Sequence, residues 1–387
     1  MLIQCTKKLL DELKVKPGDF QAPPGEVNPL FAWHANLLRL NRRKAVVLVN
    51  DSNKYVLVLY GLKAKHFKEL HGHVLQAIRE AFREEGIAEE ITAQFIKSCA
   101  PRPGEVTYAK TGSRSMVAKL NKACETVQFF EDLLEETSVY QPACGKAVSR
   151  IMIGAGKNAY IRPNEELYKD LEAFAGGPVL RVRAAVLKVT LDLENREVWR
   201  RLVVPVNMTF AGLHEVLQVA FGWWDYHLHQ FHIYGDEKVA ASANDLNINH
   251  PAYHREGFKP VLNLVCDEGA FEFEFENDAP RKWEKGIRLS AYIPARMKYT
   301  YDFGDNWEHY IEVEKVLEDH DKNYPICLEG AGNAPPEDVG GRYGFEEFLE
   351  IIADKTHPEH EEMLTWGRSQ GYKDFDLQMI NWRLEHL

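Results

Sequence analysis

The sequence predicts an α+β protein of two domains, and three observations carry that reading. Short β-prone runs separated by turn residues recur at 45–60, 180–206 and 298–316, in spacings that suit antiparallel pairs. Between and after them, apolar residues repeat at helical spacing. Finally, Gly176-Gly177-Pro178 breaks the chain where its charge changes sign, from a net +4 over 1–178 to −15 over 179–387. Residues 1–135 are expected to form a mixed α+β domain and 136–178 a connector with one short helix. Residues 179–387 are expected to form an antiparallel sheet with helices on one face, in a β-grasp-like order of hairpin, helix and further strands.

In the first region, Ala45–Val49 and Tyr55–Tyr60 flank Asn50-Asp51-Ser52-Asn53 and predict a hairpin. Phe67, Leu70, Val74, Ile78 and Ala81 lie on one helical face, with Gly86 as the stop. Helical patterns follow at 88–97 and 115–135. The pattern then weakens around Pro142, Gly145, Gly154, Gly156 and Pro163, leaving a helix at 164–175.

The second region opens with Leu180, Val182, Ala184 and Val186 in alternation. The phase then moves to Leu187, Val189, Leu191 and Leu193, which predicts a β-bulge at 186–187. A turn at 194–196 leads to a return strand over 198–206. Thr209 caps a helix with Leu213, Val216, Leu217 and Ala220 on one stripe, ended by Gly222. Strands are expected at 228–234 and across the alternating Phe271–Glu276 run. A hairpin is expected at 298–303 and 307–316 around Gly304-Asp305-Asn306, and helices at 344–353, 358–367 and 375–386.

Composition excludes whole classes. With 45% apolar residues, 19 Phe, 16 Tyr and 8 Trp, the chain has the apolar surface that a disordered protein lacks. Its apolar runs, such as Ala45–Val49, fall far short of the roughly 20 residues a bilayer requires, so no membrane partner is expected. The start shows no long apolar stretch behind its basic residues, and a cytoplasmic location is expected. The six cysteines are scattered with no C-x-x-C spacing, which points to reduced thiols. The acidic second half repels phosphate backbones, so nucleic-acid contact is expected through residues 1–135 if anywhere. There Arg39, Arg42, Arg43 and Lys44 cluster, although they read first as a solvated turn.

Four strings in the second half stand out: Trp199-Arg200-Arg201, Leu213 to Trp223, His227-Leu228-His229-Gln230-Phe231 and Tyr301 to His309. Downstream of Tyr324-Pro325-Ile326-Cys327-Leu328 lies a fifth, Pro335-Pro336-Glu337-Asp338-Val339-Gly340-Gly341. In this order they resemble the plasmid pRiA4b ORF-three-like family over about 179–387. The first region resembles an uncharacterised domain sometimes fused to that family. The resemblance implies an association with mobile elements and no established activity. An acidic segment at about 240–285 is added to the shorter family pattern.

The histidines supply the sharpest chemistry. On a strand, His227 and His229 would share a face, and His309 with Asp302 or Asp305 could complete a nitrogen and oxygen shell around a divalent transition metal. The simpler reading makes them buried, hydrogen-bonded core residues. Asp302, Asp305 and Asn306 suit a hairpin tip, or else an acid/base pair. Glu337 and Asp338 could bend around a ligand or cap a helix. Trp223 and Trp224, with Tyr226, could form an exposed aromatic patch or pack internally. Asp302-Phe303-Gly304 spells the kinase tripeptide, but no Gly-rich loop precedes it. No residue is assigned a catalytic role and no cofactor is named. The leading reading is a non-enzymatic interaction or accessory module with a protein partner. The alternatives are a metal-assisted hydrolase or nuclease, and a DNA-associated accessory protein of mobile elements.

Overall fold

A computed structural model describes residues 1–15, 27–99, 106–156, 158–238, 254–272 and 279–387. The chain divides into two compact units, Met1–Arg181 and Val182–Leu387, and the fold is α+β.

The first unit runs β1 (Leu2–Cys5), α1 (Lys7–Leu13), β2 (Ala32–Leu40), β3 (Arg43–Asn50), β4 (Val56–Tyr60), α2 (Ala64–Lys68), α3 (Leu70–Glu85), α4 (Glu89–Cys99) and β5 (Thr107–Lys110). It continues with α5 (Arg114–Phe129), α6 (Pro142–Arg150), a ribbon of β6 (Ile153–Gly156) and β7 (Ala159–Ile161), and α7 (Pro163–Ala175). Five strands form a sheet in the order β4-β3-β2-β1-β5. β1 runs parallel to both β2 and β5, and the remaining pairs are antiparallel.

Successive strand residues feed opposite faces. Val46, Leu48, Leu57 and Leu59 meet α3, α4 and α7, whereas Val47, Val49, Val56 and Val58 meet α5 and α6. A sheet covered on both sides needs apolar residues at every position, which is why Ala45–Val49 reads as an unbroken run. Gly86 closes α3 in the left-handed conformation, as its position predicts.

The segment 136–178 is more than a connector. Its α6 and α7 place Val148, Leu167 and Leu171 in the two cores of this unit, and Arg150 and Tyr168 reach the buried carboxylate of Glu85. Its Gly and Pro residues start and stop short elements, so the weak periodicity hides real packing. The Arg39–Lys44 cluster lies around the β2–β3 turn, where Arg43 pairs with Glu136 and Lys44 with Glu12.

The second unit runs β8 (Val182–Leu191), β9 (Val198–Pro205), α8 (Phe210–Phe221), β10 (His229–Lys238), β11 (Phe258–Val265), α9 (Glu268–Glu272) and β12 (Arg281–Trp283). β13 (Met297–Tyr301), β14 (Trp307–His320), β15 (Ile326–Ala331), α10 (Gly341–Ala353), α11 (His360–Ser369) and α12 (Leu377–Leu384) complete it. Its eight strands order as β12-β11-β10-β13-β14-β8-β9-β15, antiparallel except for β11 with β12. The main core lies between this sheet and α8, α10 and α12. Thr209 caps α8 as expected, its hydroxyl accepting from the Gly212 N–H at 3.1 Å. The buried Arg200 guanidinium donates to the carbonyls of Ala220, Ala331 and Gly332 at 2.9, 2.9 and 3.1 Å, tying the end of α8 to β15.

Two expectations change. β8 pairs with β9 without a break from Ala184 to Leu191, so the phase change at 186–187 is no bulge in this strand. Ala185, Leu187, Val189 and Leu191 face the main core, while Ala184 and Val186 face a smaller cluster with Val203. Burial on both faces mimics a slip. The irregularity lies opposite, between Val313 and Lys315 of β14. The predicted strand at 271–276 is also displaced: Phe271 and Glu272 end helix α9, and 273–276 lie outside the described residues.

All six cysteines are free, and all but Cys266 are buried. Among the described residues no helix is long and apolar enough to cross a membrane.

Candidate metal centre

Three loops converge beside the start of β10: the segment after α8, the β13–β14 turn, and the segment leading into α10. Gly222 ends α8 with a left-handed φ of 87° and turns the chain toward the sheet. Trp223 is buried and donates through Nε1 to the Pro335 carbonyl at 3.0 Å. The Trp224 N–H donates to Oε1 of Glu337 at 2.8 Å. From the second loop, Oδ2 of Asp305 accepts from the Gly340 N–H at 3.1 Å. A Cβ on Gly341 would stand 2.9 Å from the Asp305 carbonyl oxygen, so only glycine lets these two loops meet. The Tyr301–His309 and Pro335–Gly341 strings, about thirty residues apart in the chain, are thus one structure. Gly341→Ala adds that clash to a φ of 69° and is expected to cost roughly 1–3 kcal/mol, read as a lower urea midpoint.

At their meeting point stands His227. Its Nε2 is shut off from solvent and makes no well-aligned hydrogen bond. Three carboxylates surround it: Oδ1 of Asp338 at 2.9 Å, Oδ2 of Asp302 at 3.7 Å and Oε2 of Glu337 at 4.0 Å. Ligand atoms of His227, Asp302 and Asp338 lie within 4.8 Å of one another, close enough to hold one cation.

Each carboxylate is aimed by its neighbours. Asp302 uses Oδ1 to accept from the N–H groups of Gly304 and Asp305, at 2.8 and 3.3 Å, which leaves Oδ2 toward His227. Glu337 is buried, accepting at Oε1 from the Trp224 N–H and from the Tyr301 hydroxyl at 3.1 Å. Burial raises its pKa, against hydrogen bonds from Trp224 and Tyr301 and the nearby His227, which lower it. Asp302 and Asp338 both occupy left-handed backbone, at φ 55° and 56°, a conformation that aspartate tolerates at modest cost. Asp338 is 56% exposed, so the cradle opens to water on that side.

The sequence placed His229 and His309 in the same shell, and the structure separates them. β10 begins at His229, and His227 lies in the bend before it, so the two do not alternate as strand neighbours. His309 is sealed in the core, its Nδ1 3.2 Å from the Trp307 carbonyl and its ring edge-on to Phe221 and Trp223. Burial lowers its pKa to about 3. Asp305 holds backbone instead of facing His227. The aromatic patch divides as well: Trp223 is interior, while Trp224 and Tyr226 are 40% and 66% exposed and meet edge-to-face at 5.6 Å.

His229 belongs to a second cluster that the sequence reading missed. Its ring lies flat on His214, with centroids 3.5 Å apart and planes 5° from parallel. Nε2 of His229 meets Oε1 of Glu284 at 3.0 Å. Burial alone would lower the His229 pKa, but hydrogen bonds to Cys266 and Glu284 carry it up to about 9. Gln218 donates to the Tyr299 hydroxyl at 3.0 Å, so that hydroxyl donates in turn to Nδ1 of His214 at 2.8 Å. The remaining N–H of His214 then faces Asp225 at 2.8 Å, and burial with the neighbouring His229 lowers the His214 pKa to about 4. The two stacked rings are thus pulled in opposite directions, His229 toward holding a proton and His214 toward releasing one. Ligand atoms of His214, Asp225 and His229 are also within 4.8 Å of one another. Flat-stacked rings, however, direct their lone pairs in parallel planes and suit one shared ion poorly. The signal available beforehand was a pair of polar residues, His214 and Gln218, four apart in a helix whose remaining residues are apolar or glycine except Glu215.

These features define an α+β unit whose sheet end carries one imidazole and three carboxylates in a half-open cradle. The chain belongs to the plasmid pRiA4b ORF-3-like protein family, whose model matches residues 183–383. Residues 2–166 match a domain of unknown function, DUF6933. An uncharacterized protein y4hQ of Sinorhizobium fredii is 36% identical over 197 residues, covering 48% of this chain and 81% of the relative. A protein of unknown function, MM3350 of Methanosarcina mazei Go1, is 30% identical in a crystal structure spanning 51% of this chain and 97% of its own, with a TM-score of 0.39.

Proposed function

We propose that the second unit is a divalent-cation module in which His227, Asp302 and Asp338 hold the ion and Glu337 supports it. The observation that carries this reading is the solvent-shielded Nε2 of His227 with carboxylate oxygens of Asp338, Asp302 and Glu337 at 2.9, 3.7 and 4.0 Å. Three carboxylates crowded around one imidazole repel one another, and a bound cation would offset that repulsion while taking the imidazole nitrogen as a ligand. One imidazole with carboxylate oxygens suits manganese, iron or zinc. The exposed side at Asp338 leaves room for water or an oxyanion, the arrangement that metal-assisted hydrolysis requires, with buried Glu337 at hand as a base. The six unpaired cysteines support a cytoplasmic setting.

Titration calorimetry with Mn²⁺ and Zn²⁺ tests the site. One ion per chain is expected, its binding lost in His227→Ala and weakened roughly 10–100-fold in Glu337→Gln. No saturable binding of either ion, or unchanged binding in His227→Ala, would overturn the proposal. A second reading, a protein-interaction surface, draws support from exposed Trp224 and Tyr226 beside the same cradle.

A further inference from the structure

In the first unit a cavity of about 360 Å³ opens between α5, the outer face of β3 and β4, and the run from α6 to the start of α7. Val49, Val56 and Val148 form a buried floor, and Ile153 and Ala118 stand in the wall. Apolar side chains already buried in a core do not by themselves need such a space. A concave apolar site with a few charged groups at its edge is the ordinary form of a small-molecule site.

The charged groups here have one sign. Lys54, Lys119 and Lys122 line the cavity, and among the described residues no Asp or Glu does. Lys122 spends its charge on exposed Glu125 at 3.2 Å, but Lys119 has no ion pair among the described residues. Lys54 donates to the backbone carbonyls of Asp51 and Ser52. The two carboxylates that act on it are engaged elsewhere, Asp51 with Gln4 and His34, and Asp170 with Asn53. Burial, and then Lys119, lower the Lys54 pKa, as befits an ammonium short of counter-charge.

We infer that this cavity binds a small amphipathic anion, with an apolar chain over Val49, Val56 and Val148 and a carboxylate at Lys54 and Lys119. The chain replaces poorly bonded water on the apolar floor. The carboxylate gains charge-assisted hydrogen bonds at the rim without entering the apolar interior, where an unpaired charge would be costly. The inference is independent of the cation module, since it concerns the other unit and a different ligand.

Calorimetry on the full chain with octanoate, octan-1-ol and octylammonium tests it. Octanoate is expected to bind one per chain, at least about tenfold tighter than the alcohol, with no binding of the amine. Lys119→Gln is expected to bring octanoate down to the affinity of octan-1-ol while leaving the alcohol unchanged. Ala118→Trp, on the exposed side of α5, is expected to fill the cavity and abolish binding of both. If that variant does not fold, Lys119→Gln decides alone. Equal affinity for the three probes, octanoate binding that survives in a folded Ala118→Trp, or no saturable heat up to about 10 mM octanoate would overturn the inference.

Discussion

Replacing Glu85 by alanine is expected to remove roughly 3–5 kcal/mol from the first unit, a large part of the roughly 5–15 kcal/mol that holds a domain folded. The side chain of Glu85 is fully buried at the last residue of α3. Its Oε1 accepts from Tyr55 at 2.8 Å and Oε2 from Tyr168 at 2.7 Å, and Arg150 reaches both oxygens at 3.2 Å. Burial alone would raise its pKa, but Arg150 and Lys146 outweigh that and hold it below the usual carboxylate range. Truncation therefore does more than lose contacts. It leaves a largely buried guanidinium without its counter-charge and two hydroxyls without an acceptor. The β3–β4 turn, α3, α6 and α7 would loosen together. Urea unfolding followed by circular dichroism, with hydrogen exchange over residues 50–90, measures this. The double change Glu85→Leu with Arg150→Leu should recover part of the loss, because it removes both charges while the Tyr55 and Tyr168 hydroxyls still lose this acceptor. A Glu85→Ala cost under about 1 kcal/mol would contradict this account.

The second unit should lose stability steeply on acidification below pH 6.5. Burial lowers the pKa of His309 to about 3 and of His254 to about 4, and it holds His232 well below its ordinary value. Between those values and 6.5 the unfolded chain binds protons that the folded chain refuses. Stability therefore falls with pH across that window. His309 alone is worth about 2 kcal/mol between pH 6.5 and 5, at about 1.4 kcal/mol per unit. Glu215 and Glu337, raised by burial, act in the opposite sense above 4.5, and so does His229 between 6.5 and about 9. All tryptophans except Trp33 lie in this unit, so urea midpoints by tryptophan fluorescence report on it. His309→Phe keeps an aromatic ring against Phe221 and Trp223 and should reduce the loss between pH 6.5 and 5 by about 2 kcal/mol. An unchanged acid slope in that variant would show that His309 is not responsible.

Elements set by local chemistry were readable from the sequence. The Thr209 cap, the Gly86 and Gly222 stops and the β13–β14 hairpin all depend on residues within a few positions of one another. So were four members of the cradle, His227, Asp302, Glu337 and Asp338. Their grouping was not. It depends on where β10 starts, two residues after His227, and on Gly341 letting 335–341 close onto the β13–β14 turn. The phase of β8 misled for a similar reason, because alternation cannot tell a slipped strand from one buried on both faces. β1 went unread because it is four residues long and finds its partners far along the chain. His214 was hidden by its position within an apolar stripe, where a histidine reads as filler until Tyr299 is seen beside it.

The place of β1 sets an order of assembly. β2, β3 and β4 are near neighbours in the chain and can zip into a meander as soon as residue 60 is available. Among the described residues β5 joins this sheet along β1 alone, with Thr107 opposite Leu2, so the far edge must wait for a loop of more than a hundred residues to close. The earliest residues of the chain are thus the keystone of its latest contacts. Any change that pries Leu2–Cys5 loose would set Thr107–Lys110 adrift while the meander still stood.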